Sequence, residues 1–221
     1  MPVRVTHWLL FISVTAAWIT SKIGARYYEW HEYCGYSVLV LVSFRLIWGF
    51  VGTRYARFSE FLQGPRRIGA YLRKLLARSD AQPSVGHNAL GGWSVVLMLA
   101  TLFVEAATGL FAKDEIDHTG PLFGWVSASL GDSLTKYHQG AFEVLELLIG
   151  VHIAAILFYV FVRRETLVLP MLTGRKPSTV VPDGAQIGGS RVWLAVLIVV
   201  LIGAALALAI RSAPRAPVRV F

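Results

Sequence analysis

Tyr137-His138-Gln139-Gly140-Ala141-Phe142-Glu143-Val144-Leu145-Glu146-Leu147-Leu148-Ile149-Gly150-Val151-His152-Ile153 is the stretch that decides how the chain is read. It sets two histidines fourteen residues apart inside one apolar run. An α-helix turns about 100° and rises about 1.5 Å per residue, so His152 returns to within about 40° of His138, roughly 21 Å along the axis. In a bilayer whose hydrocarbon core is about 30 Å thick, that carries one imidazole near each surface. Ionisable side chains inside a membrane span are costly and mark function.

Working outward, four further apolar runs accompany this one. They cover about His7–Ile23, Trp30–Val51, Leu90–Phe111 and Val192–Ile210, and the central run continues to about Val162. The chain has 221 residues, 55% of them hydrophobic, and repeated apolar runs of about 20 residues belong to membrane proteins. Arg4 followed by an apolar stretch has the form of a signal peptide. His7, Trp8 and Trp18 interrupt it, however, and no small-x-small cleavage site follows, so the run is expected to stay as a span. The basic stretch Arg54 to Arg78 contains a periodic segment expected to form a surface helix, Pro65–Ala77. Thr173–Ser190, rich in Pro and Gly, reads as a linker. The expected division is a four-helix core over 1–172, a cytoplasmic linker over 173–191, and a fifth transmembrane helix with a short basic tail over 192–221.

The net charge of +8 is not read as a nucleic-acid surface, because its distribution follows the positive-inside rule. Arg4, the eight Lys and Arg from Arg45 to Arg78, and Arg163, Arg164, Arg175, Lys176 and Arg191 make fourteen on one side. Lys22, Arg26, Lys113 and Lys136 make four on the other. The N-terminus is therefore expected in the cytoplasm. The acidic connection with Asp114-Glu115-Ile116-Asp117, and the C-terminus with its three arginines, are expected on the opposite side. The single cysteine, Cys34, excludes an internal disulfide and a CxxCH attachment. No HExxH is present.

With five alternating spans, His7 starts the first at the inner level and His31 starts the second at the outer level. The fourth runs inward, so His138 is outer and His152 inner. Two depths each receive one histidine from the fourth run and one from another. A haem iron with two axial imidazoles needs one from each side of its ring. His7 with His152, and His31 with His138, would serve two six-coordinate irons. Gly35, Gly140, Ala141, Gly150 and Ala154, with Ser13, Ala16 and Ala17, thin the helices near these histidines, as a porphyrin or close helix packing requires. Arg45 lies fourteen residues after His31, level with the inner pair, and suits a propionate or an interfacial anchor. His87 opens the third run and suits a propionate, a quinone or a cap. His118 is expected in solvent. Glu105, Glu143 and Glu146 are carboxylates within the spans, suited to interfacial solvation or to a proton path.

These residues resemble a family. Arg4-Val5-Thr6-His7-Trp8, Trp30-His31-Glu32-Tyr33-Cys34-Gly35-Tyr36, Phe44-Arg45-Leu46-Ile47-Trp48-Gly49 and Gly86-His87-Asn88-Ala89-Leu90-Gly91-Gly92, followed by His138 and His152, are similar to the prokaryotic cytochrome b-561 family, which includes hydrogenase-type cytochrome b subunits. The resemblance covers about residues 1–176. It implies an all-α integral membrane protein of the bacterial inner membrane, with an antiparallel four-helix bundle holding two b haems and a fifth helix outside that core. It also implies electron transfer between the quinone pool and a periplasmic partner such as a c-type cytochrome. The alternatives are the anchor subunit of a hydrogenase-like enzyme and a superoxide:quinone oxidoreductase.

Overall fold

A computed structural model describes residues 1–76, 89–114, 118–174 and 189–214. Eight α-helices occur among them: α1 (Pro2–Lys22), α2 (Tyr28–Val51), α3 (Phe58–Phe61), α4 (Pro65–Leu76), α5 (Ala89–Gly109), α6 (Ala128–Leu157), α7 (Val168–Thr173) and α8 (Val192–Ser212). No strand is present among the described residues; the one bridge joins Lys113 to Thr119. Five helical segments are long and apolar enough to cross a membrane: Pro2–Lys22, Ala25–Val51, Leu90–Gly109, Ala128–Val162 and Val192–Ser212. The protein is a multi-pass, helical-bundle membrane protein. Phe50, Phe161, Trp193 and Leu208 stand exposed along these segments, as side chains that meet lipid do.

The ends of the segments alternate. Arg191 Nη1 donates to the Val51 carbonyl at 3.3 Å, joining the start of α8 to the end of α2. Arg4 Nη1 donates to Leu172 O at 2.9 Å, and Trp8 Nε1 to Met171 O at 3.3 Å, joining the start of α1 to α7 beyond the end of α6. These contacts define a basic end of the bundle. At the far end, Tyr28 and His118 pack with ring centroids 4.8 Å apart. Lys113 Nζ lies 2.5 Å from Asp132 Oδ1, while the Lys113 N–H donates to Thr135 Oγ1 at 3.0 Å. Among exposed groups that ion pair is worth only about 0–1 kcal/mol. Its role is to hold Lys113 beside the start of α6.

α6 begins nine residues before the apolar run at Tyr137. Ser127 caps it by accepting from the Leu130 N–H at 3.3 Å, which satisfies one of the unpaired first-turn donors. At its other end the ladder widens to a π-helix over Phe158–Val162 before Arg163. The whole rod of 35 residues is about 52 Å long. It outreaches the hydrocarbon core, so its polar first turns stand outside it.

α1 packs on α2, α2 on α5 and α8, and α5 on α6. The core cluster lies between them: Val38 and Val42 of α2, Leu99, Leu102 and Ala106 of α5, and Leu145 of α6, with Leu10 and Val14 of α1 against it. α6 packs extensively on no long helix but α5. It meets α1 and α2 through the Leu145 cluster and through the histidine rings.

Candidate functional site: two histidine pairs

His7 of α1 and His152 of α6 have ring centroids 6.4 Å apart, with planes inclined at 52°. His31 of α2 and His138 of α6 have centroids 6.2 Å apart at 85°. The first pair lies at the basic end and the second at the far end. An imidazole nitrogen binds a metal at about 2.0–2.1 Å and the ring centre lies about 1.1 Å behind it, so two imidazoles on opposite sides of one metal have centroids about 6.3 Å apart. Both observed spacings match that value.

The proton positions at the far-end pair follow from the partners. His31 Nδ1 is 2.8 Å from the Ala17 carbonyl, and His138 Nδ1 is 2.8 Å from the Glu105 carbonyl. A carbonyl only accepts, so both Nδ1 atoms carry hydrogen, and in the neutral rings that leaves both Nε2 atoms a lone pair. Metal-ligating histidines are oriented in this way by an acceptor on the second nitrogen. Among the described residues neither His7 nor His152 has such a partner.

Among the described residues no three His, Cys, Asp or Glu side chains converge. A bare ion would lack a full ligand set, whereas two imidazoles per level suffice for an iron already held by four porphyrin nitrogens. A Cβ added at Gly35, Gly140 or Gly150 would meet nothing within 4 Å. Gly109 of α5 is different: a Cβ there would lie 2.9 Å from His138 Cε1. Gly109 is thus the residue that lets α5 approach the His138 ring, and the sequence reading did not single it out.

Arg45 is buried at 5% exposure. Its guanidinium lies over the Phe58 and Phe61 rings at 5.3 and 6.0 Å to their centroids, and Nη1 has no hydrogen-bond partner among the described residues. A buried cation left short of a partner fits an anionic propionate. The Glu105 side chain is only 14% exposed, with Oε1 3.3 Å from His138 Nδ1 and Oε2 unpartnered among the described residues. Spacing alone marks Glu105 only as a carboxylate in a span. Its depth was readable, since it lies one turn before the far end of α5, but its facing toward His138 was not. Glu143 and Glu146 are exposed and join neither pair. His118 is exposed beside Tyr28. His87 lies outside the described residues.

Cys34 is the only cysteine, so covalent attachment of a haem through two thioethers is excluded. The family model described as prokaryotic cytochrome b561 matches residues 1–174, and the chain belongs to that family. It is a haem b-binding membrane protein of electron transfer. No curated protein and no solved structure matched the chain.

Proposed function

We propose that the chain holds two b haems, one between His7 and His152 and one between His31 and His138, and passes electrons across the inner membrane between the quinone pool and a periplasmic redox partner. The observation that carries this reading is the pair of centroid spacings, 6.4 and 6.2 Å, which leave room for one metal atom between each pair of rings. His7 with His152 and His31 with His138 would each hold one haem through imidazole, and a haem so held would supply one-electron transfer. The chain's own contribution is to orient four imidazoles, to keep water from the apolar layer between them, and to set Arg45 toward a propionate. The charge count supports the basic end as cytoplasmic, which puts the His31–His138 level and the 110–127 connection on the periplasmic side. The core then corresponds to residues 1–172, and α8 is an addition packed on α2.

The test is haem counting on purified protein with single histidine replacements. Two haems per chain are expected. His31→Ala and His138→Ala should lose the same haem and keep the other, and His7→Ala and His152→Ala should do the reverse. A chain with well under two haems, or loss of the same haem from His31→Ala and His152→Ala, would refute the assignment. Reduction of purified protein by quinol, followed by reoxidation with a soluble c-type cytochrome, tests the partners.

A further inference from the structure

α4 carries two chemically distinct faces. At about 100° per residue from Pro65, Ile68, Tyr71 and Leu72 fall at about 300°, 240° and 340°, on one apolar arc. Arg66 and Arg73 fall at about 100° and 80°, and Arg67 and Lys74 at about 200° and 180°. Ala70 stands between the two pairs, at about 140°. The cations thus form two ladders, one along each edge of the polar arc. All four are exposed, and none joins a salt bridge among the described residues. Arg73 Nε donates back to Gly69 O at 3.4 Å, which leaves its charge uncompensated.

The bundle fixes where this helix lies. Tyr71 shares a hydrogen bond with Tyr159, in the π-helical segment Phe158–Val162 that ends the span Ala128–Val162. Just before α4, Gln63 O accepts from Trp93 Nε1 at 2.9 Å, near the start of the span Leu90–Gly109. α4 is therefore pinned across the basic-end mouths of α5 and α6, where the hydrocarbon layer stops. Arg163 and Glu165, one charge of each sign, both act on the Tyr71 phenol and offset one another, so the excess of positive charge here belongs to α4. A helix of this pattern lies in the interface plane and extends the cations at its edges to lipid phosphates. Leu72, 38% exposed beside Arg73, favours a lipid over a soluble acidic partner, because an apolar side chain at that edge gains from hydrocarbon.

We infer that α4 is a binding surface for anionic phospholipids of the leaflet at the basic end, its two ladders of cations facing lipid phosphates on either side of the helix.

The test is native mass spectrometry of the haem-loaded full chain in detergent, titrated with dioleoylphosphatidylglycerol and, in parallel, with dioleoylphosphatidylcholine. The anionic lipid is expected to bind more tightly. Raising the ionic strength from about 0.1 to about 1 M cuts the screening length from about 10 to about 3 Å and should remove most of the difference. One basic side chain at a charged membrane surface is worth about fivefold in affinity, from about 1 kcal/mol at 1.4 kcal/mol per factor of ten. The double variant Arg66→Gln/Arg73→Gln keeps helix propensity and should weaken the phosphatidylglycerol affinity about 25-fold. Its phosphatidylcholine affinity and its haem content should stay as they are. Arg66→Lys/Arg73→Lys, which keeps the charge, should retain most of the affinity. Arg211→Gln, at the other end of the bundle on α8, is the control and should change nothing. Equal affinity of the wild-type chain for the two lipids overturns the inference, whether or not a variant folds. An unchanged phosphatidylglycerol affinity in the double Gln variant also overturns it and leaves the cations to an acidic soluble protein. Displacement of the bound lipid by inorganic phosphate would mark a site for the free anion and overturn it as well. None of these outcomes bears on the haem count, on which the proposed function turns.

Discussion

Gly109→Ala is a one-carbon change whose effect on the far-end site follows from distances. The added methyl would lie 2.9 Å from His138 Cε1 and 3.2 Å from Nδ1. Carbon atoms rest at about 3.5–4.0 Å, so the ring has to retreat by about 0.6–1.1 Å. The Nδ1···O contact to Glu105, now 2.8 Å, would stretch to about 3.4–3.9 Å, beyond a useful hydrogen bond. The lost hydrogen bond costs about 0.5–1.5 kcal/mol and the crowding about 1–3 kcal/mol. Their sum of roughly 1.5–4.5 kcal/mol corresponds to more than tenfold in binding at the far-end level, at 1.4 kcal/mol per factor of ten.

The cost should appear only when the ring is held on both sides. Without haem, His138 is the free end of a side chain and swings away, so the apo-protein should fold and insert normally. The assay is haem content and the reduced-minus-oxidised spectrum of purified Gly109→Ala protein, with Gly69→Ala in α4 as the control. A Cβ at Gly69 meets nothing within 4 Å, and Ala is the better helix former there by about 1 kcal/mol. Selective loss of the haem that His31→Ala also loses is expected. Full retention of both haems with an unchanged spectrum would refute the argued closeness of α5 to the His138 ring.

Leu145→Ala removes a side chain that is 1% exposed at the centre of the core; a cost of about 2–5 kcal/mol should lower thermal stability in detergent whether or not haem is bound, and an unchanged midpoint would contradict the packing. Arg45→Met should act in two directions. With haem absent it removes an under-partnered buried cation and should be neutral or stabilising by about 1–4 kcal/mol, whereas the loaded protein should hold its basic-end haem more weakly; equal loss in both forms would exclude the propionate contact. Tyr71 of α4 shares a hydrogen bond with Tyr159 of the π-helical segment, and burial first, then that bond, push its phenol upward in pKa. Tyr71→Phe should cost about 0.5–1.5 kcal/mol, read as faster limited proteolysis within α4; an unchanged cleavage rate would show that the bond does not secure the helix.

The membrane spans were legible because a span must be long and apolar for a reason that does not depend on its neighbours. Their ends were not. α6 starts at Ala128 rather than near Tyr137, because its first turns are polar and depend on the Ser127 cap. α7 had no signal in the sequence; its six residues are tied through Arg4 and Trp8, contacts between residues more than 160 positions apart. The ring pairs follow from helical period and alternating direction, two quantities a sequence carries. The facing of Glu105 and Gly109 toward His138 depends on the rotation of α5 against α6. That rotation is decided by Leu99, Leu102 and Ala106 packing against Leu145, which no single-chain periodicity reports.

The same arithmetic places a third layer between the two pairs. Seven residues return a helix to within about 20° of its start after roughly 10.5 Å. Seven after His7, His31 and His138 stand Val14, Val38 and Leu145, all in or against the core cluster. The middle of the bundle is thus apolar on three helices at once, and Val42 and Leu145 there are at most 1% exposed. The cluster's side chains are hydrocarbon and carry no titratable group themselves. An electron needs only distance and orientation, which the rod of α6 fixes at roughly 21 Å along its axis between His138 and His152. In the proposed two-haem arrangement this apolar layer lies between the carriers, so electrons would cross it while proton uptake and release stay at the ends. Leu145, seven residues from each histidine of α6 and 1% exposed, stands at its middle.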